Sequence, residues 1–186
     1  SVVLVLLMGV GVFMFNHGLM NWLPALLEEG GLSEVDSGYW AAIPTVVGIA
    51  GSLLIPRLAT PERRYHILIA LTLCAALASV LLQFSADLPR ITGLVMQGIA
   101  RSSLMTVLIL TLLELPAVGE KYAGVASGIF FTAAEVGGVL GPISLGILYD
   151  VSGGFSAGLY LLSSISLLIA ISAMALKRTS TSAHNS

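Results

Sequence analysis

The sequence contains few charged residues. Lys, Arg, Asp and Glu make up 10% of its 186 residues, whereas ordinary soluble domains contain about 25%. Hydrophobic residues account for 56%, and the mean hydropathy is +0.98. This composition excludes an ordinary water-soluble domain and predicts an integral membrane protein.

Cysteine and basic residues are also scarce. The single cysteine, Cys74, excludes an intramolecular disulfide. A net charge of −2 gives no nucleic-acid-binding signature, so we expect no nucleic acid partner. No loop has metal-ligand spacing, a nucleotide-binding motif or a nucleophile–base arrangement. The sequence therefore predicts neither an enzyme nor a metal site or cofactor.

The beginning of the chain lacks an initiator Met and a charged leader. Its first residues, SVVLVLLMGVGVFMFN, are followed by no small-residue cleavage site of the kind that a signal peptide requires. We therefore expect this sequence to begin inside a longer protein.

Long apolar runs dominate the rest of the sequence. Each run has about 20 residues, enough for a helix to cross roughly 30 Å of hydrocarbon, whereas barrel strands alternate over about 10 residues. We predict an all-α polytopic membrane protein, with one transmembrane domain over residues 1–176 and a polar cytoplasmic tail over 177–186. The predicted spans cover residues 2–27, 37–56, 67–84, 91–113, 123–149 and 157–176.

Basic residues outside the spans predict the orientation. All but Arg90 fall on one side of the membrane, namely Arg57, Arg63, Arg64, Lys121, Lys177 and Arg178. Because such residues concentrate in cytoplasmic loops, both termini of this segment are predicted to be cytoplasmic. The expected location is the inner (plasma) membrane of a bacterium.

Two charged residues, Arg101 and Glu135, lie inside predicted spans. An intramembrane charge costs at least about 2.5 kcal/mol and normally faces protein or a cavity. Each residue is 13 positions from the cytoplasmic end of its helix, or about 20 Å at 1.5 Å per residue. They are therefore expected near the midplane, where Arg101 could either pair with Glu135 or contact a solute.

Other polar residues share these helices. On the fourth helix, Gln97 and Ser102 lie with Arg101 within about half the circumference, which predicts a protein-facing side. The first helix ends in FNHGLMNWLP, which carries Asn16, His17 and Asn21. His17 could line a cavity or simply form a hydrogen bond between helices.

The fifth helix contains a stripe of small residues around Glu135. Small residues let membrane helices approach closely, so packing is the expected role of the stripe. Glu135 could instead carry a proton, and His17 is the other proton-coupling candidate. The predicted packing residues are Gly124, Gly128, Gly138, Gly141, Pro142 and Gly146.

Three stretches resemble the C-terminal six-helix half, helices seven to twelve, of a major facilitator superfamily transporter. They are NWLPALLEEGGLSEVDSG, GSLLIPRLATPERRY and GGVLGPISLGILYDVSGG. WLP followed by an acidic loop and IPRLA is most similar to the cyanate-permease-like branch. Pro56 stands where the family's loop motif usually has aspartate, a departure from any charge network in that loop.

This resemblance implies one half of a twelve-helix fold, with an N-terminal six-helix half expected in the same chain. Two such halves rock about a site near the midplane. The first and fourth helices would line the cavity, whereas the third and sixth would face lipid. The implied substrate-binding residues are Arg101, Gln97, Asn16, His17 and Asn21, with Glu135 beside them.

The leading functional hypothesis is secondary active transport of a small solute, expected to be an anion and coupled to protons. Arg101 would hold the anion, because a guanidinium binds carboxylates bidentately. Efflux of a lipophilic or cationic compound is the alternative within transport. A hypothesis of another class is a non-transporting membrane scaffold or a homodimeric interaction protein.

Overall fold

The computed structural model describes the backbone of residues 1–184 and the side chains of residues 1–178. This part of the chain is entirely helical, without strands, and its six helices are long and apolar enough to span a membrane. The predicted all-α fold class is therefore confirmed. The helices are α1 (Val2–Glu29), α2 (Glu34–Leu58), α3 (Arg64–Leu81), α4 (Asp87–Leu113), α5 (Gly119–Ser152) and α6 (Ser156–His184).

All six helices extend beyond their predicted apolar spans at one end or at both. Polar residues continue the backbone hydrogen bonding where it leaves hydrocarbon, as at Ser33, whose hydroxyl accepts a bond from the Asp36 amide at 3.1 Å and caps α2. α3 starts before its predicted span, at Arg64, but ends at Leu81, earlier than predicted. α6 continues to His184, so residues 177–184 of the predicted tail are helical, and 185–186 lie outside the described residues.

The helices pack in a definite arrangement. α1 packs most extensively against α5, α2 against α4, and α3 against both α4 and α6. In the membrane spans of α2 and α5, only 17% and 22% of residues are buried, compared with 44% to 50% in the other four helices. α2 and α5 therefore present open faces, while α3 and α6 pack together elsewhere.

Glycines on α5 bring this helix against α1. A Cβ added to Gly137 would collide with the carbonyl oxygen of Val10, and one added to Gly141 would collide with that of Met14. Only glycine allows the two backbones to come this close. The predicted packing stripe included Gly141 but not Gly137.

The other predicted packing residues differ in their surroundings. Gly146 faces the Trp22 ring, whose indole nitrogen donates a 2.9 Å hydrogen bond to the Pro142 carbonyl. Gly124 and Gly128 face open space, with nothing described within 4 Å of an added Cβ. Gly124 and Gly128 therefore have no close neighbour within the described part of this six-helix unit, and a packing role for them stays a prediction.

Two arginines at opposite ends of the bundle are buried. Arg64, at the start of α3, donates to the carbonyls of Ala59 at 3.3 Å and Leu110 at 3.1 Å, and forms an ion pair with Glu114. This network joins the ends of α2 and α4 to the start of α3. Arg90 is likewise buried at the other end of the bundle, where it donates to backbone carbonyls.

Arg90, in the first turn of α4, is the one basic residue on the predicted outer side. It donates to the carbonyls of Gly30 at 2.7 Å and Ser85 at 2.6 Å, and lies 5.6 Å from the centre of the Trp40 ring. Its charge is therefore tied to helix ends inside the protein. This explains how an arginine is accommodated on the side that the basic-residue bias disfavours.

Candidate functional site

A cavity of about 400 Å³ lies between α1, α2 and α4. Its volume is within the range of small-molecule sites, about 300–1,000 Å³. It combines apolar side chains with one cation, one imidazole, an amide and several hydroxyls. The lining residues are Phe13, Asn16, His17 and Met20 of α1, Pro44, Thr45, Gly48, Ile49 and Ser52 of α2, and Gly98, Arg101, Ser102 and Met105 of α4.

Glycines let α2 and α4 meet along one wall of this cavity. A Cβ added to Gly98 would run into the backbone of Pro44, and one added to Gly48 would lie 3.3 Å from Ser102 Cβ. The close approach places the α2 hydroxyls of Thr45 and Ser52 on the same cavity as the α4 side chains.

Arg101 contributes the positive charge of the cavity. The side chain is half-buried, and its Nη2 donates to the Met20 sulfur at 3.1 Å. A thioether is only a weak acceptor. The alternative expected for Arg101, an ion pair with Glu135, is not seen among residues 1–178, whose one ion pair is Arg64–Glu114. The guanidinium therefore faces the cavity without a described carboxylate partner.

Asn16 and His17 project from α1 into the same cavity. Asn16 Nδ2 donates to the Arg101 backbone carbonyl at 3.4 Å, whereas its Oδ1 is buried with no described hydrogen-bond partner. His17 Nδ1 lies 3.2 Å from the Phe13 carbonyl oxygen, and the Phe13 and His17 rings are 5.2 Å apart. The histidine is therefore held by its own helix while it faces the cavity.

Glu135 lies beside this group but does not line the cavity. It is exposed on α5. A Cβ added to Gly138 would lie 3.1 Å from Glu135 Oε2 and 3.3 Å from His17 Nδ1. Because Glu135 Oε2 and His17 Nδ1 both lie so close to this one point, they are also close to each other. The carboxylate and the imidazole are therefore neighbours across Gly138, without a recorded ion pair in the described region.

Two predicted binding residues lie elsewhere. Gln97 is completely buried, both atoms of its amide lack a described hydrogen-bond partner, and it does not line the cavity. Asn21 is exposed, donates to the His17 carbonyl at 2.8 Å, and lines a second cavity with Trp22 and Asp150. The helical arc was too broad to separate residues facing the cavity from residues facing another helix or the outer end.

The α2 wall was missed by the sequence analysis. Thr45, Gly48 and Ser52 are spaced by three and four residues, which places them on one helical face. This small and polar periodicity was a usable signal. It was weak because Gly, Ser and Thr are common wherever membrane helices pack.

Comparison with known proteins agrees with the helical architecture. The Major Facilitator Superfamily matches residues 5–186. The chain belongs to this superfamily. Membership in a superfamily of transporters confirms the prediction that the chain is not an enzyme, and the cyanate-permease-like branch stays a prediction.

One relative of the chain is a "Quinolone resistance transporter" of Acinetobacter baumannii. It is 32% identical, and the alignment covers 81% of the chain and 35% of the relative. Two Agrobacterium vitis proteins, each named "Putative tartrate transporter", are 26% and 30% identical. Each alignment covers 92% of the chain and 38% or 39% of the relative. The chain thus spans well under half the length of these relatives.

Proposed function

We propose that the chain is the C-terminal half of a secondary transporter for small organic anions, with Arg101 as the anion-binding residue. The observation that carries this proposal is the Arg101 guanidinium in the cavity, where its recorded side-chain partner is the Met20 sulfur at 3.1 Å. An intramembrane charge left without a counterion is costly. A bound anion supplies the missing counterion.

The neighbouring groups suit a carboxylate. Guanidinium presents several N–H donors in a fixed fork that matches two carboxylate oxygens. The hydroxyls of Thr45, Ser52 and Ser102 line the same cavity and can donate further hydrogen bonds. The names of the two Agrobacterium vitis relatives, which specify tartrate, support an organic acid as the solute.

The exposed faces of α2 and α5 provide the surface for the N-terminal half. In these two spans, 17% and 22% of the residues are buried, the lowest fractions among the six helices. Six further helices packed there would enclose the cavity lined by α1, α2 and α4. Rocking of the two halves would then open the site to each side in turn, with both termini of this segment in the cytoplasm of a bacterium.

Glu135 is the proposed carrier of a coupled proton. Its carboxylate lies outside the cavity wall but adjoins His17 across Gly138. A carboxyl that alternates between its protonated and ionised forms can exchange a proton, and His17 connects it to the solute cavity. Proton and anion would thereby move in the same direction, as in a symporter.

The anion-binding role is tested in the full-length protein, reconstituted in proteoliposomes with radiolabelled L-malate and L-tartrate as probes. Arg101→Gln should lower kcat/KM for uptake about 10- to 100-fold, the effect of losing a charge-assisted pair. Lys121→Gln is the matched control, because it also removes one positive charge but from outside the cavity. Unchanged KM and kcat in Arg101→Gln would disprove the anion-binding role.

The proton-carrying role has a separate readout. Glu135→Gln should abolish accumulation of L-malate driven by a proton gradient, while exchange of internal for external L-malate continues. Proton flux is followed with a pH-sensitive dye in the same vesicles. Full proton-driven accumulation by the variant would remove Glu135 from the mechanism and leave His17 as the candidate.

Efflux is the second candidate function, favoured by the name of the Acinetobacter baumannii relative and by the apolar part of the cavity wall, including Phe13 and Ile49. In this case the Glu135 carboxylate would bind a cationic compound. Accumulation of a fluorescent quinolone that is added outside everted vesicles, whose outer surface is the cytoplasmic side, distinguishes the two functions. Efflux predicts transport that depends on Glu135 and is insensitive to Arg101→Gln.

A further inference from the structure

We propose that the cavity selects hydroxy-carboxylates, with the carboxylate on Arg101 and the neighbouring hydroxyl donating a hydrogen bond to Nε2 of His17. This inference rests on the proposed anion-binding role of Arg101. It adds a second recognition element to that site, which a plain carboxylate cannot satisfy.

The His17 tautomer follows from its contact with the helix. Nδ1 lies 3.2 Å from the carbonyl oxygen of Phe13. Because a carbonyl oxygen only accepts hydrogen bonds, Nδ1 must carry the hydrogen. In the neutral ring, Nε2 then has a lone pair and no hydrogen. The nitrogen left for a solute in the cavity is therefore an acceptor.

The acceptor and the guanidinium share one small cavity. His17 and Met20 are three residues apart on α1 and so lie on the same face, about 5–6 Å apart at Cβ. Met20 in turn contacts Arg101 Nη2 at 3.1 Å. A molecule that binds the guanidinium consequently lies next to the His17 ring.

Asn16 adds a second acceptor to the same wall. Its Nδ2 faces the Arg101 carbonyl, which can only accept, so the amide orientation is defined and Oδ1 points elsewhere. Oδ1 is buried and has no described partner. On the α1 wall, His17 Nε2 and the buried Asn16 Oδ1 are therefore acceptors without a described donor. An acceptor without a donor favours a solute that carries its own donor hydrogen.

A hydroxy-carboxylate meets both requirements. Its carboxylate accepts from the Arg101 fork, and its hydroxyl hydrogen is directed to His17 Nε2. Succinate and similar unsubstituted acids offer only acceptors when ionised, so they would leave Nε2 unpaired. A site that hydrogen-bonds a substrate hydroxyl discriminates strongly against the analogue without it.

Two acids that differ by one hydroxyl, L-malate and succinate, test this inference on the full-length protein in detergent and in proteoliposomes. Binding is measured by competition with radiolabelled L-tartrate. We expect L-malate to compete at a concentration at least about tenfold lower than succinate. His17→Phe should bring this ratio close to one by weakening L-malate and leaving succinate unchanged.

Two further variants separate recognition from folding. Met20→Leu also changes a cavity residue next to Arg101 but removes no nitrogen acceptor, so it should preserve the ratio. His17→Gln supplies an amide oxygen and should recover part of the preference. Size-exclusion profiles in detergent identify variants that fold. A ratio of one in the wild type, or an unchanged ratio in a folded His17→Phe protein, overturns the inference.

Failure of this inference differs from failure of the anion-binding role. Equal competition by L-malate and succinate, with both lost in Arg101→Gln, rejects hydroxyl recognition alone. Competition by neither acid, or competition that survives Arg101→Gln, rejects the carboxylate site itself.

Discussion

Three arginines of this chain lie within the helical bundle in very different surroundings. Arg64 and Arg90 are 5% and 4% exposed, and both donate to backbone carbonyls at helix ends. Arg101 is half-buried, and its guanidinium contacts a thioether in a cavity. The partners, not the residue type, therefore distinguish two structural arginines from one available to a solute.

The Arg64 network yields a stability prediction. Arg64→Gln removes charge-assisted bonds to the carbonyls of Ala59 and Leu110, so it should lower the free energy of unfolding by about 1.5–3 kcal/mol. Glu114→Gln should lower it by less than about 1 kcal/mol, because the Glu114 side chain is 49% exposed. Unfolding of the full-length protein in detergent measures both.

The comparison between these two variants identifies what Arg64 does. If the ion pair were its main contribution, the two substitutions would destabilise the protein equally. A clearly larger loss in Arg64→Gln means that the carbonyl bonds hold the ends of α2 and α4 together.

At the scale of helices, the close contact of α1 with α5 depends on two glycines. Gly137 and Gly141 are where an added Cβ would meet the carbonyls of α1. Gly124, on the same helix, has no described atom within 4 Å of that position. The glycines of one helix thus divide into those that allow contact and those that face open space.

This division predicts opposite effects of one substitution. Gly137→Ala should destabilise the full-length protein by about 1–3 kcal/mol, as overpacking does. Gly124→Ala should leave stability unchanged or raise it by up to about 1 kcal/mol, because alanine favours the helix. Thermal unfolding in detergent compares them. Equal destabilisation would mean that Gly124 also packs closely, against the other half of the protein.

The sequence predicted the helices well because apolar length is a direct requirement of a bilayer. The helices are longer than the predicted apolar spans, since polar residues such as Asp87 and Glu34 continue them. Arg101, Asn16 and His17 were found because polar groups are conspicuous in apolar helices. Thr45 and Ser52 were not, because their residue types are common in membrane helices.

Gln97 illustrates the limit of a helical wheel. It lies four residues before Arg101 and on a similar side of α4, yet it is completely buried whereas Arg101 faces the cavity. A wheel gives the direction of a side chain about its own axis. Which neighbouring helix covers that direction depends on tertiary packing, which no periodicity encodes.

At the scale of the whole molecule, burial is uneven around the bundle. The open faces belong to α2 and α5, next to the cavity, whereas α3 and α6 pack against each other away from it. In the full-length protein, an exposed apolar residue on α2 should therefore have different surroundings from one on α3. The first should border a water-filled cavity and the second should border lipid.

Ile49 and Leu77 test this difference, because they are 60% and 48% exposed on α2 and α3, respectively, and only Ile49 lines the cavity. In a cysteine-free full-length protein, Ile49→Cys should react with a charged, membrane-impermeant thiol reagent, and saturating L-malate should slow the reaction. Leu77→Cys should stay unreactive, since such a reagent needs water to reach the thiol. Reaction at both positions, insensitive to L-malate, would contradict a central cavity beside α2 and a lipid-facing α3. Reaction at Ile49→Cys alone, slowed by L-malate, supports both the position of the site and its occupation by an organic acid.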